Sequence, residues 1–412
     1  MVNSFYIFSP LLFYVVFLRA SLDPVLNLTK IAGIGMGAVL NLVVVCFFIV
    51  VCFIKKFELP KSFFKVWGVF VVVGLVSILI SPDKLTSARS FFSVLTYFAI
   101  FCLTYYFVKT KNDFSNIVKL VVYSSVIPFC FVFKEFIFPE ASITKDGFRL
   151  FASFSHPNIF AFYLVLVISM CFYSFKSKVV LFDYRFIYHA KLILSFSILC
   201  LLFTKTRSAW AALIFVFVVF GVLSDRKYLL YLIILGMAAM LIPSIQDRVL
   251  DIFNNQSTVD DLEYGESLNS LVWRKIVWAA AWDYIIEKPL LGHGYDTFSY
   301  YFLEFFPLEG NTKFDAHNAY VQIAFDMGFI GVIGFLIIFA FMFVKMAHFY
   351  RIDSPGTSVI LGLVLSYLLV CYSDNMCFYL SYNWYFWLIM GAYFYMPLDE
   401  EQKYSEKNER NF

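Results

Sequence analysis

Asp315-Ala316-His317-Asn318 stands directly ahead of a long apolar run that begins at Ala319 and meets Gly328, Gly331 and Gly334. A polar cluster where a membrane helix begins marks a candidate functional site. A helix N-terminus lowers a histidine pKa, whereas Asp315 would raise it. A neutral His317 imidazole, oriented by Asp315 or Asn318, has the chemistry of a general base. The plainer alternative is a polar cluster that caps the helix. Three further stretches carry candidate groups. Arg149 through His156-Pro157-Asn158 leads into one apolar run, with Pro157 suited to a first helical turn. Thr206-Arg207-Ser208 joins two runs with almost no loop, and a guanidinium matches phosphate oxygens as a rigid fork. Residues 267–287 read as an amphipathic helix carrying Arg274 and Lys275, followed by Gly292-His293-Gly294, where a tight turn allows the backbone to approach a ligand. For Arg149 the alternative is a snorkelling side chain, and for Arg207 an interfacial anchor beside Trp210.

The elements that position these residues are helices in a bilayer. The 412 residues are 61% hydrophobic and only 15% charged, with mean hydropathy +0.78, too apolar for a soluble chain of this length. About twelve apolar stretches recur, near 4–19, 31–54, 63–81, 90–108, 116–138, 157–175, 189–204, 208–224, 228–245, 319–346, 357–373 and 379–396. The fold class expected is therefore an all-α polytopic membrane protein, one integral membrane domain over 1–412. Lysines crowd alternate loops: Lys55 to Lys65, Lys109 to Lys119, Lys176 to Lys191, and Arg226-Lys227. By the positive-inside rule these loops, both termini and the tail 399–412 are cytoplasmic. The long loop 246–315 and His317 then lie on the outer face. The eight cysteines sit in or beside apolar runs and suggest no disulfide framework or metal site. A net charge of +3 gives no reason to expect nucleic acid. The run 319–346 exceeds what a bilayer needs. Its glycines read either as close helix packing or as a break that sets the segment from His317 to Asp326 apart.

These motifs together resemble the superfamily of bacterial O-antigen ligases and O-antigen polymerases. The resemblance rests on His317-Asn318, nine residues, then Gly328-Phe-Ile-Gly331, supported by Arg149 to Asn158, Thr206 to Trp210, and Arg274 with Pro289 to Tyr295. It covers roughly residues 145–345. It implies a C-type glycosyltransferase fold in the bacterial inner membrane. It also implies a glycan donor on undecaprenyl diphosphate at the periplasmic face, and metal-independent, inverting transfer without a cofactor. By the same resemblance His317 is the base, and Arg207 and Arg274 hold the diphosphate. Arg149, His156, Asn158, His293, Gly294 and Asn318 are the accompanying substrate-binding candidates. A ligase would pass the glycan to the lipid A core; a polymerase would pass it to another lipid-linked repeat unit. The gap from Arg274 to Gly292 is longer than in the loop motifs of some polymerases, which tilts the reading toward ligase.

Two rivals remain open at this level. A lipid-linked glycan flippase would usually show inverted repeats and midplane polar groups; no repeat is evident, and the polar groups gather at one face. A metal-dependent transferase would need acidic ligands, for which Asp23 and Asp260-Asp261 are candidates.

Overall fold

The computed structural model describes residues 12–19, 30–31, 34–54, 60–144, 147–241, 243, 246, 250, 270–307 and 312–395. The tail 399–412, Asp23, Asp260-Asp261 and the loop ahead of Ser270 other than residues 246 and 250 lie outside the described residues, as does the first half of the first apolar stretch. The described chain is almost wholly helical. Its strands are the two-residue pairs β1 (Lys30–Ile31) with β2 (Ile34–Gly35), and β3 (Ile143–Thr144) with β4 (Gly147–Phe148). In chain order the helices are α1 (12–19), α2 (Met36–Ile54), α3 (Lys61–Ile80), α4 (Lys84–Phe107), α5 (Lys111–Tyr123), α6 (Val126–Ile137), α7 (Pro157–Lys176), α8 (Tyr184–Phe203), α9 (Arg207–Leu223) and α10 (Lys227–Ala239). They continue as α11 (Ser270–Glu287), α12 (Phe298–Phe305), α13 (Ala319–Tyr350), α14 (Ser354–Cys371) and α15 (Leu380–Tyr395).

Each of the twelve apolar stretches contains a helix where it is described. Among the described residues, eight spans are long and apolar enough to cross a membrane, and α9 and α10 are shorter apolar helices. One of the eight, Lys111–Ile137, comprises both α5 and α6. The expectation of twelve crossings is thus coarser in the structure: a multi-pass helical membrane protein. Large apolar side chains face outward along it, among them Phe53, Val72, Leu79, Ile233 and Ile333. α10 has no buried residue at all. In water such exposure would be unfavourable; against lipid tails it costs little. α7 is the opposite case, buried from Phe160 to Ser174. Around it α14 packs on α9, α15 on α4, and α13 on α3. Helices that are apolar all round do not reveal these partners by periodicity.

α13 is not one helix. Gly328 has φ 66° and ψ −174°, so the chain leaves the helix there and resumes it one residue later. A regular helix would send the Phe329 N–H to the Phe325 carbonyl. Instead Phe329 N donates to Pro289 O (2.7 Å), while His293 N donates to Phe325 O (2.8 Å) and Gly294 N to Asp326 O (3.1 Å). The Ser77 hydroxyl of α3 also donates to Asp326 O. The groups freed by the break are satisfied by the segment after α11, as buried backbone requires. The approach is close enough to demand glycine. A Cβ on Gly328 would strike the Leu290 carbonyl, and one on Gly292 the backbone of Phe325 and Asp326. Gly334 instead lies against the backbone of Phe70 on α3, so both readings of the glycine stripe hold, at different glycines.

Gly328→Ala is expected to destabilise the protein by about 2 kcal/mol or more, from the positive φ and the lost approach. Gly68→Ala on α3, where a Cβ meets nothing within 4 Å, is expected to be neutral or stabilising by up to about 1 kcal/mol. Thermal unfolding of the two variants in detergent, against wild type, measures both.

Candidate functional site

The site gathers at one end of the bundle, where α7 and α9 begin, α8 and α14 end, and the segment before α13 passes under α11. Asn318 caps α13, its Oδ1 accepting from Tyr320 N (2.9 Å) and Val321 N (3.2 Å). The capping alternative therefore applies to Asn318, and that oxygen is not available to orient His317. Ala316, just ahead of His317, is clamped at both ends: its N–H donates to Gln322 Oε1 (3.1 Å), and its carbonyl accepts from Trp278 Nε1 (2.6 Å). His317 itself has φ 48°, a left-handed conformation that a non-glycine residue holds only when its surroundings enforce it. Its ring meets Trp273 edge-on, with centroids 6.1 Å apart.

Burial, and then the positive charge of Arg274, push the His317 pKa down to about 4. The expected upward pull from Asp315 does not act on it; the Asp315 carboxyl is itself raised by burial. Asp315 acts instead on Asp296, which burial pushes up to about 6 and which accepts a hydrogen bond from Ser90. His317 is thus a half-buried, neutral imidazole beside a fixed cation. Desolvation decides its state because an imidazolium there would be taken out of water next to another positive charge.

Opposite lies a network centred on Asp374, in the turn between α14 and α15. Its carboxylate accepts from Tyr379 OH (2.8 Å), Ser208 Oγ (3.0 Å) and Asn158 Nδ2 (3.1 Å). Burial raises its pKa, against lowering by the charge of Arg274 and by those donors. Asn158 Oδ1 in turn accepts from Arg149 Nη2 (3.2 Å) and Thr206 Oγ1 (3.3 Å), and Arg149 Nε donates to the Thr204 carbonyl (2.9 Å). Arg149 therefore braces the turn from α8 to α9, at whose end stands Arg207. Lys205 in that turn has φ 53°. Arg207 Nη2 reaches Ser270 Oγ at 3.4 Å, so α11 starts over the Arg207 end of α9. His156 caps α7 through Nδ1, which accepts from Asn158 N (3.1 Å); burial, then Arg149, lower its pKa, and His317 adds to this.

Arg149, His156, Asn158, Arg207, Arg274 and His317, far apart in sequence, thus converge around Asp374. Two expected substrate contacts are placed otherwise. His293 is buried, stacked on Phe325 with centroids 4.8 Å apart, and its Nε2 bonds the Tyr284 carbonyl (2.7 Å). Gly294 lies against Ser81, and its N–H serves the α13 break. Both hold the fold of the segment between α11 and α12. In α11, Val277, Ala281 and Ile285 are buried against a cluster containing Phe298, Phe302 and Phe325. Sequence reasoning missed Asp374 as a site residue. Its only signal was an acidic residue in a short turn at the same end as His317.

With a pKa near 4, His317 stays neutral throughout the range from about pH 5 to 8 and becomes cationic only below about 4. Histidine-selective NMR of the detergent-solubilised protein is expected to show one ring titrating there. Arg274→Gln should move that titration upward, since it removes a charge that disfavours imidazolium. A His317 titration at the ordinary value of about 6.5 contradicts the buried geometry.

A comparison with curated proteins gives no match. The family model described as O-Antigen ligase matches residues 192–336, a stretch that runs from α8 through the Gly328 break and includes Arg207, Arg274 and His317. Residues 192–336 are thus similar to the O-antigen ligase family, within a multi-pass helical membrane protein.

Proposed function

We propose that the protein is an O-antigen ligase-type membrane glycosyltransferase, moving a glycan from undecaprenyl diphosphate to an acceptor hydroxyl at the periplasmic face. The observation that carries this reading is one end of the bundle that pairs a neutral histidine with two arginines around a carboxylate network. In this reading the acceptor oxygen attacks the anomeric carbon from the face opposite the diphosphate. His317 takes the hydroxyl proton, the new glycosidic bond forms, and the bond from the anomeric carbon to the phosphate oxygen breaks. The leaving diphosphate gains negative charge, which Arg207 and Arg274 stabilise; preorganised donors act most strongly in a dry site.

The electrostatics suggest an order of events. Arg274 lowers the basicity of His317. A diphosphate bound at Arg274 offsets that charge, so His317 becomes a stronger base once the donor is in place. Asp374 holds Asn158 and Ser208 and so fixes the starts of α7 and α9 beneath the diphosphate. Arg149, His156 and Asn158 support that wall, and Asn318 sets the start of the helix behind His317. The acceptor is the lipid A core in the ligase reading and a lipid-linked repeat unit in the polymerase alternative. The same reading has twelve crossings, both termini cytoplasmic and this end of the bundle in the periplasm.

Several measurements test the reading. His317→Ala should abolish glycan transfer in vitro while the protein still inserts and folds. Arg207→Ala should slow transfer by roughly 10²–10³, the scale for removing one preorganised donor. Arg207→Lys and Arg274→Lys keep charge but lose the fork, so each should fall sharply. Full rate in both lysine variants removes the diphosphate clamp from these arginines. A deletion strain discriminates the acceptor by lipopolysaccharide gel: lipid-linked polymer accumulating without surface attachment supports the ligase, and core carrying a single repeat unit supports the polymerase.

A further inference from the structure

Gln322, buried on the first turn of α13, is hydrogen-bonded to both halves of the site. Its Oε1 accepts from Ala316 N (3.1 Å), next to His317, and from Asn375 Nδ2 (3.1 Å), next to Asp374. Its Nε2 donates to Asp326 Oδ2 (2.9 Å). The Asp326 carboxylate also accepts three successive backbone N–H groups, Asp296 (3.0 Å), Thr297 (3.1 Å) and Phe298 (3.2 Å), at the start of α12. We propose that Gln322 is a positioning residue that fixes His317 relative to the Asp374 turn, so that base and leaving-group wall move as one unit; the inference rests on the transferase reading above.

The polarity of the contacts singles out an amide. Ala316 N–H and the Asn375 amide are donors and need an acceptor; Asp326 already accepts and needs a donor. Glutamine offers one end of each kind. A glutamate of the same shape keeps the first two contacts and sets oxygen against oxygen at Asp326. Methionine fills the space and makes none. The strained backbone of His317 explains why such a tie is required. A left-handed residue relaxes unless its neighbours are held, and Ala316 is held on its N–H side by Gln322 and on its carbonyl side by Trp278. Releasing one side lets the imidazole swing away from the reacting hydroxyl while Arg207 and Arg274 stay in place.

The test compares Gln322→Met, Gln322→Glu and a double variant that combines Gln322→Glu with Asp326→Asn, all in the full-length, detergent-purified protein. The double variant reverses the polarity of one link, because the amide introduced at position 326 can donate to the carboxylate introduced at position 322, and it costs the Asp296 N–H its acceptor on Asp326 Oδ2. Three readouts are taken: kcat for glycan transfer from the lipid-diphosphate donor, affinity for an unreactive lipid-diphosphate analogue, and hydrogen exchange of the peptide 312–318. Both single variants are expected to lose kcat on the order of 10²-fold, the scale of a misplacement of about 1 Å, with analogue affinity nearly unchanged. The double variant is expected to recover about threefold over Gln322→Glu, a partial rescue because the Asp296 N–H loses its acceptor. Exchange at Ala316 should speed up in Gln322→Met and stay slow in Gln322→Glu. Wild-type kcat in Gln322→Glu overturns the proposal, because a residue that only fills space would not respond to polarity. Unchanged Ala316 exchange in Gln322→Met overturns it as well, and this readout holds whether or not the protein transfers glycans. Absence of transfer by the wild-type protein itself would instead refute the transferase reading.

Discussion

The structure depends on an exchange of backbone hydrogen bonds at the Gly328 break. A helix interrupted inside a bilayer leaves N–H and C=O groups that neither water nor lipid can satisfy. Here the segment Pro289–Gly294 supplies the missing partners, in both directions, across three bonds. That single arrangement ties the segment after α11 to the front of α13. It therefore fixes where α11 lies, and with it Trp273, Arg274 and Trp278. The glycines at 292 and 328 are consequences of the exchange, since each backbone comes too close to the other for a Cβ. His293 belongs to the same device, its ring stacked on Phe325 and its amide on the Phe325 carbonyl.

The Gly328 break sets the front of α13 apart from its apolar remainder, and polar groups are packed against that front. Gln322 and Asp326 are buried there, and each of their side-chain oxygen and nitrogen atoms has a hydrogen-bond partner. A buried carboxylate is tolerable when several N–H groups converge on it, as three do at Asp326. The same logic governs Asp374, which accepts from the Asn158 amide of α7, the Ser208 hydroxyl of α9 and the Tyr379 and Ser373 hydroxyls of its own turn. Left-handed, non-glycine residues lie around these networks: Ala152, Lys205, Asp296 and His317. Such conformations persist only where the surroundings over-determine them, and they concentrate at functional sites. The strained turns and the polar networks are two aspects of one preorganised end of the bundle.

Much of this was legible in the residues. Composition alone dictates a helical membrane chain, because only helices satisfy their own backbone over so many apolar stretches. The excess length of the 319–346 run, together with Gly328, already pointed to a break. Arg207, Arg274 and His317 carry chemistry that few structural roles demand at a bundle end, and all three lie in the stretch 192–336 that is similar to the O-antigen ligase family. Pairing was not legible. α7, α9 and α14 are apolar on every side, so nothing in their periodicity says which face meets which neighbour.

Proximity is what the tertiary structure decided. Asp315 stands almost beside His317 in sequence, yet it is the distant Arg274 whose charge acts on the imidazole. Asp374 looked like an ordinary turn residue until the starts of α7 and α9 were set against it. His293 looked like a ligand-facing group until the break in α13 gave it a carbonyl to serve. In each case the sequence determined the chemical capacity of the residue, because that resides in its own atoms. Which capacity is used depends on desolvation and on charges brought near by folding, and those are set by contacts between segments far apart along the chain.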